Sequence, residues 1–237
     1  MERYKNIIVV GDIHGQFHEL NKLIKDEKPD IILSTGDFGY WNSKDFEKSL
    51  ELLDTKLYWC DGNHENHDLL NEVTNMTRDP FEIIPNCFYM PRGSVLNLNE
   101  KNIMFVGGAD SIDKEYRTIG FDWFAQELIS ENDWLNINDV EKDIDIVISH
   151  TAPNYFKIET QLEKKDSRVE KSLDPSRHFL DKVYNKFKPS EWYFGHWHLY
   201  HSDIYEDCVW IALDMCPYRQ FELIKPPVQF WWRHLSI

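Results

Sequence analysis

The sequence predicts an α/β fold, because short runs of β-branched residues alternate with stretches of helical spacing and the runs end near glycines. Three runs are predicted as buried strands: Asn6–Val10, Asp30–Ser34 and Lys56–Cys60. Helical spacing follows the first strand near Phe17–Lys25, and Phe46, Leu50 and Leu53 indicate another helix after the second. This β-α-β-α-β order implies a parallel sheet with right-handed crossovers.

The remainder of the chain predicts hairpins, further strands and one more helix. The helix is expected to begin near Asp174 and to continue through Phe179, Val183 and Phe187, which have helical spacing. The other predicted features are a hairpin within 88–109 with its turn at 97–102, a buried strand at Asp145–Ser149, a strand at Trp192–Phe194, and antiparallel strands towards the C-terminal end.

The chain has 237 residues, which suits a single domain. We therefore interpret residues 1–237 as one domain. The stretch 110–140 is polar and aromatic and is expected to form an insert over one edge of the fold. The stretch 154–175 is charged and lacks periodicity, so we interpret it as a second insert or cap.

Composition narrows the class of function. A formal net charge of −15 argues against sequence-independent binding of long duplex nucleic acid, which requires Lys and Arg. Short nucleotides and small phosphorylated molecules remain candidates, because bound divalent cations add positive charge at one spot. The four cysteines have no metal-binding or paired spacing, and no apolar segment is long enough for a signal or a membrane span. We expect a cytoplasmic protein with reduced thiols.

Metal-binding residue types follow five of the predicted strands. Because the carboxyl ends of parallel strands face one crevice, these side chains are expected to converge although they span most of the chain. They are Asp12, His14, Asp37, Asn63, His64, His150, His196 and His198.

The chemistry of this set predicts a pair of divalent metal ions. Imidazole and carboxylate suit zinc, iron or manganese, an Asn carbonyl adds a harder oxygen, and the lack of a thiolate favours manganese or iron. A carboxylate such as Asp37 is able to bridge two ions held about 3.5–4 Å apart. Such a pair clamps a phosphoryl group and lowers the pKa of a bound water towards about 7. We expect manganese, with iron, zinc, nickel or magnesium as alternatives.

Five motifs appear in a fixed order: GDIHG from Gly11, GD at Gly36, GNHE from Gly62, a lone His150 after a strand, and GHWH from Gly195. In this order they resemble the calcineurin-like metallophosphoesterase superfamily, including its bacterial and bacteriophage-type members. The resemblance covers most of the chain. It implies a four-layer αββα sandwich, in α/β or α+β class terms, and hydrolysis of a phosphate ester by a metal-bridging hydroxide.

The resemblance also implies a role for each motif residue. Asp37 would bridge both ions and so take part in catalysis. His64 would bind no metal and would instead donate a proton to the leaving oxygen. The first ion would be held by Asp12, His14 and His198, and the second by Asn63, His150 and His196.

The second motif departs from the pattern of phosphoprotein phosphatases, which read GDxxDRG. Tyr40 and Trp41 stand where those enzymes have a supporting carboxylate and a phosphate-binding Arg. A protein-phosphatase activity is therefore disfavoured. We name Arg117 and Tyr40 as candidate substrate contacts. Other cations that could replace the missing Arg are Arg92, Lys114 and Arg177.

Two nearby residues are interpreted as structural. Glu65 is expected at the start of a helix, where a carboxylate is favourable, and His67 is left without a direct role in the site.

Several functions share such a centre. A phosphatase acting on a small or nucleotide-like monoester is our first hypothesis. A phosphodiesterase, a nuclease within a larger assembly, or a cyclic-nucleotide phosphodiesterase is the alternative, and a non-catalytic scaffold is the remote one. The scaffold is disfavoured because scaffold members of the superfamily usually lose ligands or the motif-three histidine, whereas His64 and the expected ligands are all present.

Overall fold

The computed structural model describes residues 3–41, 47–74, 79–158, 174–215 and 232–235. The strands within these ranges are β1 (Ile7–Val10), β2 (Ile31–Ser34), β3 (Lys56–Trp59), β4 (Phe81–Ile84), β5 (Cys87–Tyr89), β6 (Val95–Leu98), β7 (Lys101–Val106), β8 (Ile146–Ser149), β9 (Glu191–Phe194), β10 (His201–Tyr205), β11 (Cys208–Ala212) and β12 (Trp232–His234). The helices are α1 (Phe17–Glu27), α2 (His67–Thr74), α3 (Glu131–Asn138) and α4 (Pro175–Phe187), with short 3-10 turns at Lys114–Tyr116 and Ala125–Glu127.

The strands form two six-stranded mixed sheets. The first has the order β12-β1-β2-β3-β5-β4 and the second the order β10-β11-β9-β8-β7-β6. Strands β1, β2 and β3 are parallel, as the sequence predicts, and β5 extends them in the same direction. In the second sheet β7, β8, β9 and β11 are parallel, whereas β6 and β10 pair antiparallel at the two edges.

Burial on both faces of each sheet explains why the strands lack polar alternation. Ile8 and Val10 of β1 belong to an outer apolar cluster that includes Leu20 of α1. Ile7 and Val9 belong to a middle cluster that takes side chains from both sheets. A third cluster joins the second sheet to α4. The layers are therefore helix, sheet, sheet and helix, which confirms the predicted αββα sandwich.

Helix α4 begins where the sequence predicts. Asp174 caps it by accepting a hydrogen bond from the backbone N–H of Ser176 at 2.8 Å, and Pro175 occupies the first turn, where a missing N–H costs nothing. Leu180 and Val183 are fully buried against the second sheet. This packing fixes the layer that supports β8 and β9.

The predicted hairpin is present as β6 and β7, with its turn at Asn99 and Glu100. Its first residues, from Phe88, belong instead to β5 in the other sheet. Of the helix predicted from Phe46, Leu50 and Leu53, Phe46 lies outside the described residues and only 47–49 are helical in the described part. Leu50 is buried just after this turn of helix, and Leu53 lies exposed in a turn.

The two predicted inserts are described unequally. The 110–140 stretch contains both 3-10 turns and α3, whereas 159–173, most of the second stretch, lies outside the described residues. The single-domain interpretation stays a prediction. Across the described ranges, none of the helices combines the length and apolar character that a membrane crossing requires.

Candidate metal centre

The predicted ligands come from the turns that follow five parallel strands. Asp12 and His14 follow β1, Asp37 follows β2, and Asn63 follows β3 in the first sheet. The second sheet supplies His150 after β8, and His196 and His198 after β9. The carboxyl ends of both sheets thus open at one edge of the sandwich, and the structure brings all seven residues together there.

The first ligand group surrounds the carboxylate of Asp12. Nε2 of His198 lies 3.2 Å from Asp12 Oδ2, and Nε2 of His14 lies 3.4 Å from Nε2 of His198. His14 Nε2 is also 3.6 Å from Oδ2 of Asp37. Ligand atoms of these four residues all lie within 4.8 Å of one another, close enough to hold one metal ion together.

The second group converges on the amide oxygen of Asn63. Asn63 Oδ1 lies 3.0 Å from Nε2 of His150 and 2.9 Å from Nδ1 of His196. Nε2 of His150 lies 3.4 Å from Oδ1 of Asp37. The two oxygens of Asp37 therefore face different histidine groups.

Backbone groups orient two of the ligands. Nδ1 of His150 is 2.9 Å from the carbonyl oxygen of Thr35, so a proton on Nδ1 is held there and Nε2 points to Asn63 and Asp37. The backbone N–H of His196 lies 3.0 Å from each carboxylate oxygen of Asp12, which ties the turn after β9 to the turn after β1.

The electrostatics of the cluster favour added positive charge. Burial opposes ionisation of Asp37, but His150, His64 and His14 outweigh it and hold the pKa of Asp37 well below its usual value. Burial also opposes a charged His150, yet the carboxylates of Asp37 and Asp12 raise its pKa to about 10. A cation placed among these groups would satisfy the same carboxylates without a proton.

The pKa values of the histidines at the centre do not all shift in the same direction. Burial, followed by the neighbouring His150, lowers the pKa of His196 to about 3. Its ring is therefore neutral and able to act as a ligand. A hydrogen bond to Asp12 raises the pKa of His198.

The backbone is strained at the ligands themselves. His14, Asp37, His196 and His198 have φ values of 48°, 44°, 66° and 48°, in the left-handed region that non-glycine residues rarely adopt. Such strain concentrates at functional sites and persists only where the surrounding structure enforces it.

Two motif glycines leave room for carboxylates. A Cβ atom on Gly62 would lie 2.1 Å from Oδ1 of Asp37, and one on Gly195 would lie 1.9 Å from Oδ1 of Asp12. Both distances are far shorter than real side chains allow. Glycine is required at these positions because the backbone closely approaches a carboxylate oxygen of a predicted ligand.

Glu65 differs from its predicted role at a helix start. Helix α2 begins at His67, and the carboxylate of Glu65 is fully buried instead. It accepts hydrogen bonds from the backbone N–H groups of Phe38 at 2.5 Å, of Gly39 at 3.3 Å and of Gly62 at 2.8 Å. Glu65 therefore joins the turn that carries Asp37 to the turn that carries Asn63.

His67, interpreted as structural from the sequence, supports the same turn. It is buried, and its Nε2 lies 3.1 Å from the carbonyl oxygen of Gly62. Burial lowers the pKa of His67 to about 4, so the neutral ring donates to this carbonyl.

His64 lies at the mouth of the centre. Its backbone N–H donates to Oδ1 of Asp37 at 2.8 Å, and its ring packs edge-on against His14 with centroids 5.1 Å apart. Nη2 of Arg117 is 3.0 Å from Nε2 of His64, and it also forms a 2.7 Å ion pair with Asp113. Burial and the Arg117 charge lower the pKa of His64 against the attraction of Asp37.

The structure corrects the expectation for Tyr40. Its side chain has no exposed surface and packs against Trp59 in the outer cluster, so it is not placed to contact a substrate. Trp41 turns the other way, is 38% exposed and contacts Phe124.

The other candidate cations do not face the centre. Arg92 is buried and forms hydrogen bonds with Asp61 at 2.6 Å and Asp133 at 3.0 Å, so it anchors the 110–140 segment to the end of β3. Lys114 pairs with Asp110 at 2.7 Å. Arg177 donates to the carbonyl oxygen of Ala152 at 2.9 Å. Of the four cations named from the sequence, Arg117 contacts a predicted site residue, His64.

Sequence reasoning missed two residues that support the predicted ligand Asn63 through hydrogen bonds, Ser111 directly and Glu127 through Ser111. Nδ2 of Asn63 donates to Oγ of Ser111 at 3.0 Å, and Ser111 Oγ donates to the carboxylate of Glu127 at 2.9 Å. Both residues belong to the predicted insert. Only the motif GGADS, directly after β7, marks Ser111 in the sequence, and no pattern connects it to Asn63.

Comparisons with known proteins agree with this geometry. The family model for calcineurin-like phosphoesterases matches residues 5–200 of the chain. The comparison with curated proteins found no match.

Three solved structures illustrate the likeness. A phosphopantetheinyl hydrolase from Mycobacterium tuberculosis is 14% identical, with a TM-score of 0.57 over 99% of this chain and 97% of that chain. The inner-membrane-complex anchor protein of Plasmodium is 13% identical, with a TM-score of 0.49 over 89% and 71%. A putative 5′-nucleotidase from Staphylococcus aureus is 14% identical, with a TM-score of 0.45 over 89% and 49%. At these identities, the first likeness shows a shared fold.

Proposed function

We propose that this chain, which belongs to the calcineurin-like phosphoesterase family, is a phosphatase that acts on a small or nucleotide-like monoester by means of two divalent metal ions. Family membership identifies it as a hydrolase of phosphate esters. The number of ions, their identity and the ester class are our proposal, and manganese is the ion we expect.

One observation carries the proposal of two ions. The carboxylate of Asp37 directs Oδ2 to His14, at 3.6 Å from Nε2, and Oδ1 to His150, at 3.4 Å from Nε2. Asp37 thus stands between two groups of ligand atoms, which is the arrangement of a bridging carboxylate. The first ion would be held by Asp12, His14, Asp37 and His198, and the second by Asp37, Asn63, His150 and His196.

The donor set fits this use. It combines imidazole nitrogens, carboxylates and one amide oxygen without a thiolate, and this mixture suits manganese, iron or zinc. The Nδ1 proton of His150 is held by the Thr35 carbonyl, which leaves Nε2 free to bind an ion. A pair of ions bound there would lower the pKa of a bound water and neutralise charge on a phosphoryl group.

His64 and Arg117 complete the proposed active site. In the arrangement seen here Nε2 of His64 accepts from Arg117, because a guanidinium only donates. A phosphate held at the centre offers Arg117 a charged acceptor in place of the ring. Released from Arg117, Nε2 of His64 would take up a proton from solvent, favoured by the phosphate charge, and pass it to the leaving oxygen, while Arg117 holds a non-bridging phosphate oxygen.

Parallel hydrolysis of p-nitrophenyl phosphate and bis-p-nitrophenyl phosphate tests the proposal. Protein stripped of metal by chelation is assayed with and without manganese. We expect turnover that depends on manganese and is faster with the monoester. Faster turnover of the diester would replace the phosphatase by a phosphodiesterase on the same centre.

Two controls complete the design. Bound manganese is counted in the same samples, so that a lack of turnover is interpreted against occupancy. His18→Ala serves as a matched histidine variant, because His18 is exposed and is not one of the predicted ligands. Absence of both turnover and bound metal in the wild-type chain would contradict the proposal.

A further inference from the structure

A buried hydrogen-bonded chain connects the candidate second metal site to the segment after β7. It runs from Nδ2 of Asn63 to Oγ of Ser111, 3.0 Å away, and from that hydroxyl to Oε2 of Glu127, 2.9 Å away. Asn63 is 5% exposed, Ser111 1% and Glu127 0%. No part of the proposed chemistry uses Ser111 or Glu127.

The other bonds of Glu127 fix the direction of this chain while its carboxyl group is ionised, which holds above the pKa of about 7 to which burial raises it. Oε1 accepts from the backbone N–H of Ser111 at 2.7 Å and from the indole N–H of Trp123 at 3.0 Å. Oε2 accepts the hydroxyl proton of Ser111. The lone pairs of Ser111 Oγ are therefore left to accept, and the neighbouring donor is the amide of Asn63.

An asparagine amide has two ends of similar size and opposite polarity. Turned by 180°, Asn63 would present its N–H₂ group to His150 and His196 and could not bind a cation. An oriented hydroxyl acceptor at Ser111 removes this alternative, because the flipped amide would place two acceptors against each other. The Oδ1 atom is thereby directed at the two histidines, 3.0 and 2.9 Å away.

We propose that Ser111 and Glu127 are positioning residues that hold the amide of Asn63 in its metal-binding orientation. The inference builds on the proposed function, because it requires Asn63 to bind the second ion. It makes the 110–140 segment part of the metal centre. Partners beyond the first ligands commonly change metal affinity by about 10-fold to 100-fold.

The backbone at Glu127 is itself held by hydrogen bonds, which fixes the position of Ser111 and Glu127. The carbonyl of Glu127 accepts from the N–H of Ala109 at 3.1 Å and from the buried guanidinium of Arg92 at 3.1 Å. Arg92 in turn binds Asp61 next to the turn that carries Asn63. Both ends of the hydrogen-bonded chain are thus tied to the turn after β3.

Glu127→Gln tests the polarity of the chain with almost no change in volume. Because Oε1 must remain an acceptor for two N–H groups, the new amide N–H₂ faces Ser111 Oγ. That hydroxyl then receives a hydrogen from Gln and turns its own proton towards Asn63. This favours the flipped amide, so we expect the dissociation constant of the second manganese ion to rise about 10-fold to 100-fold while the first is unchanged.

Ser111→Ala is the second variant, and it removes the acceptor instead of reversing it. We again expect weaker binding of the second manganese ion, with a dissociation constant about 10-fold higher. Ser94→Ala is the matched control, because Ser94, like Ser111, is a buried serine. Its hydroxyl donates to the backbone carbonyl of Pro91 at 2.5 Å, outside the chain from Asn63 to Glu127. Circular dichroism establishes that each variant is folded before manganese is titrated and counted by equilibrium dialysis.

The outcomes separate this inference from the proposed function. Two ions in wild type and Ser94→Ala, with selective weakening of one ion in both test variants, support the inference. Two ions with unchanged affinity in Glu127→Gln and Ser111→Ala overturn it and leave the proposed function standing. Equal weakening of both ions also overturns it. A wild-type chain that binds fewer than two ions contradicts the proposed dinuclear centre itself, and the inference with it.

Discussion

Nη2 of Arg117 lies 3.0 Å from Nε2 of His64, although 53 positions separate the two residues in the sequence. Arg117 follows a short 3-10 turn in the segment after β7, whereas His64 follows β3. The contact places the side chain of Arg117, 10% exposed, at the mouth of the metal centre. We propose that Arg117 supplies the positive charge that the second motif lacks when it is compared with phosphoprotein phosphatases.

Replacement of Arg117 by Ala should impair turnover without loss of metal. A hydrogen bond to a charged group contributes about 1.5–3 kcal/mol, so kcat/KM for a phosphate ester is expected to fall about 10-fold to 100-fold. Lys114→Ala is the matched control, since Lys114 lies in the same segment but pairs with Asp110. Equal kcat/KM in Arg117→Ala and wild type would remove Arg117 from the active site.

Replacement of His64 by Ala should separate catalysis from metal binding. His64 contacts Asp37 through its backbone N–H, which the variant keeps. Loss of a general acid slows turnover by about 10²–10⁴-fold, while bound manganese should stay at the wild-type level. Turnover and metal content are measured on the same preparation, and loss of metal would instead place the imidazole among the ligands.

The variant Gly195→Ala, which adds a single methyl group, should weaken binding of the first metal ion. The new Cβ would lie 1.9 Å from Oδ1 of Asp12, so the carboxylate or the turn must move. We expect affinity for manganese to fall by at least about 10-fold, comparable to loss of a supporting contact. Gly120→Ala is the matched control, because nothing lies within 4 Å of its Cβ and its φ of 75° costs only about 1–2 kcal/mol. Wild-type affinity in Gly195→Ala would contradict the close approach.

His67 predicts a pH dependence of stability. Burial lowers its pKa to about 4, whereas an unfolded histidine titrates near about 6.5. The neutral form therefore contributes stability that is fully present above about pH 6.5 and is lost as the pH falls towards 4, by an amount of about 3 kcal/mol. The variant His67→Gln keeps a donor for the Gly62 carbonyl. Measured with chelator present to remove metal, its free energy of unfolding should decrease less than that of wild type as the pH falls from about 6.5 to about 4. Identical pH profiles would show that His67 does not contribute.

The positions of the predicted ligands could be inferred because each follows a strand whose apolar composition predicts that it is buried. Runs such as Ile7–Val10 and Ile146–Ser149 are apolar on both faces, and parallel strands direct their carboxyl ends to one edge. The pattern of strands and glycines therefore places Asp12, Asp37 and Asn63 at one edge of the first sheet. In contrast, His150 follows a strand of the second sheet and lies beside them only because the two sheets stack. The resemblance to a known family then supplied the second sheet, which periodicity alone does not indicate.

The supporting residues were not predictable for a physical reason. A carboxylate at Glu65 accepts backbone N–H groups whether it begins a helix or joins two turns, and its sequence position is the same in both cases. The choice depends on how the turn after β2 folds. Ser111 reaches Asn63 only because the segment after β7 returns over β3, a path set by the buried pair of Arg92 and Asp61.

The central claim is that Asp37 serves two metal ions at once, and counting ions in Asp37→Asn tests it most directly. Manganese per chain and turnover of p-nitrophenyl phosphate are measured for wild type and variant after the same chelation and reloading. We predict two ions and manganese-dependent turnover in wild type, with both metal and turnover lost together in Asp37→Asn. Retention of two ions and of wild-type turnover in Asp37→Asn would contradict the bridging role and the function proposed from it.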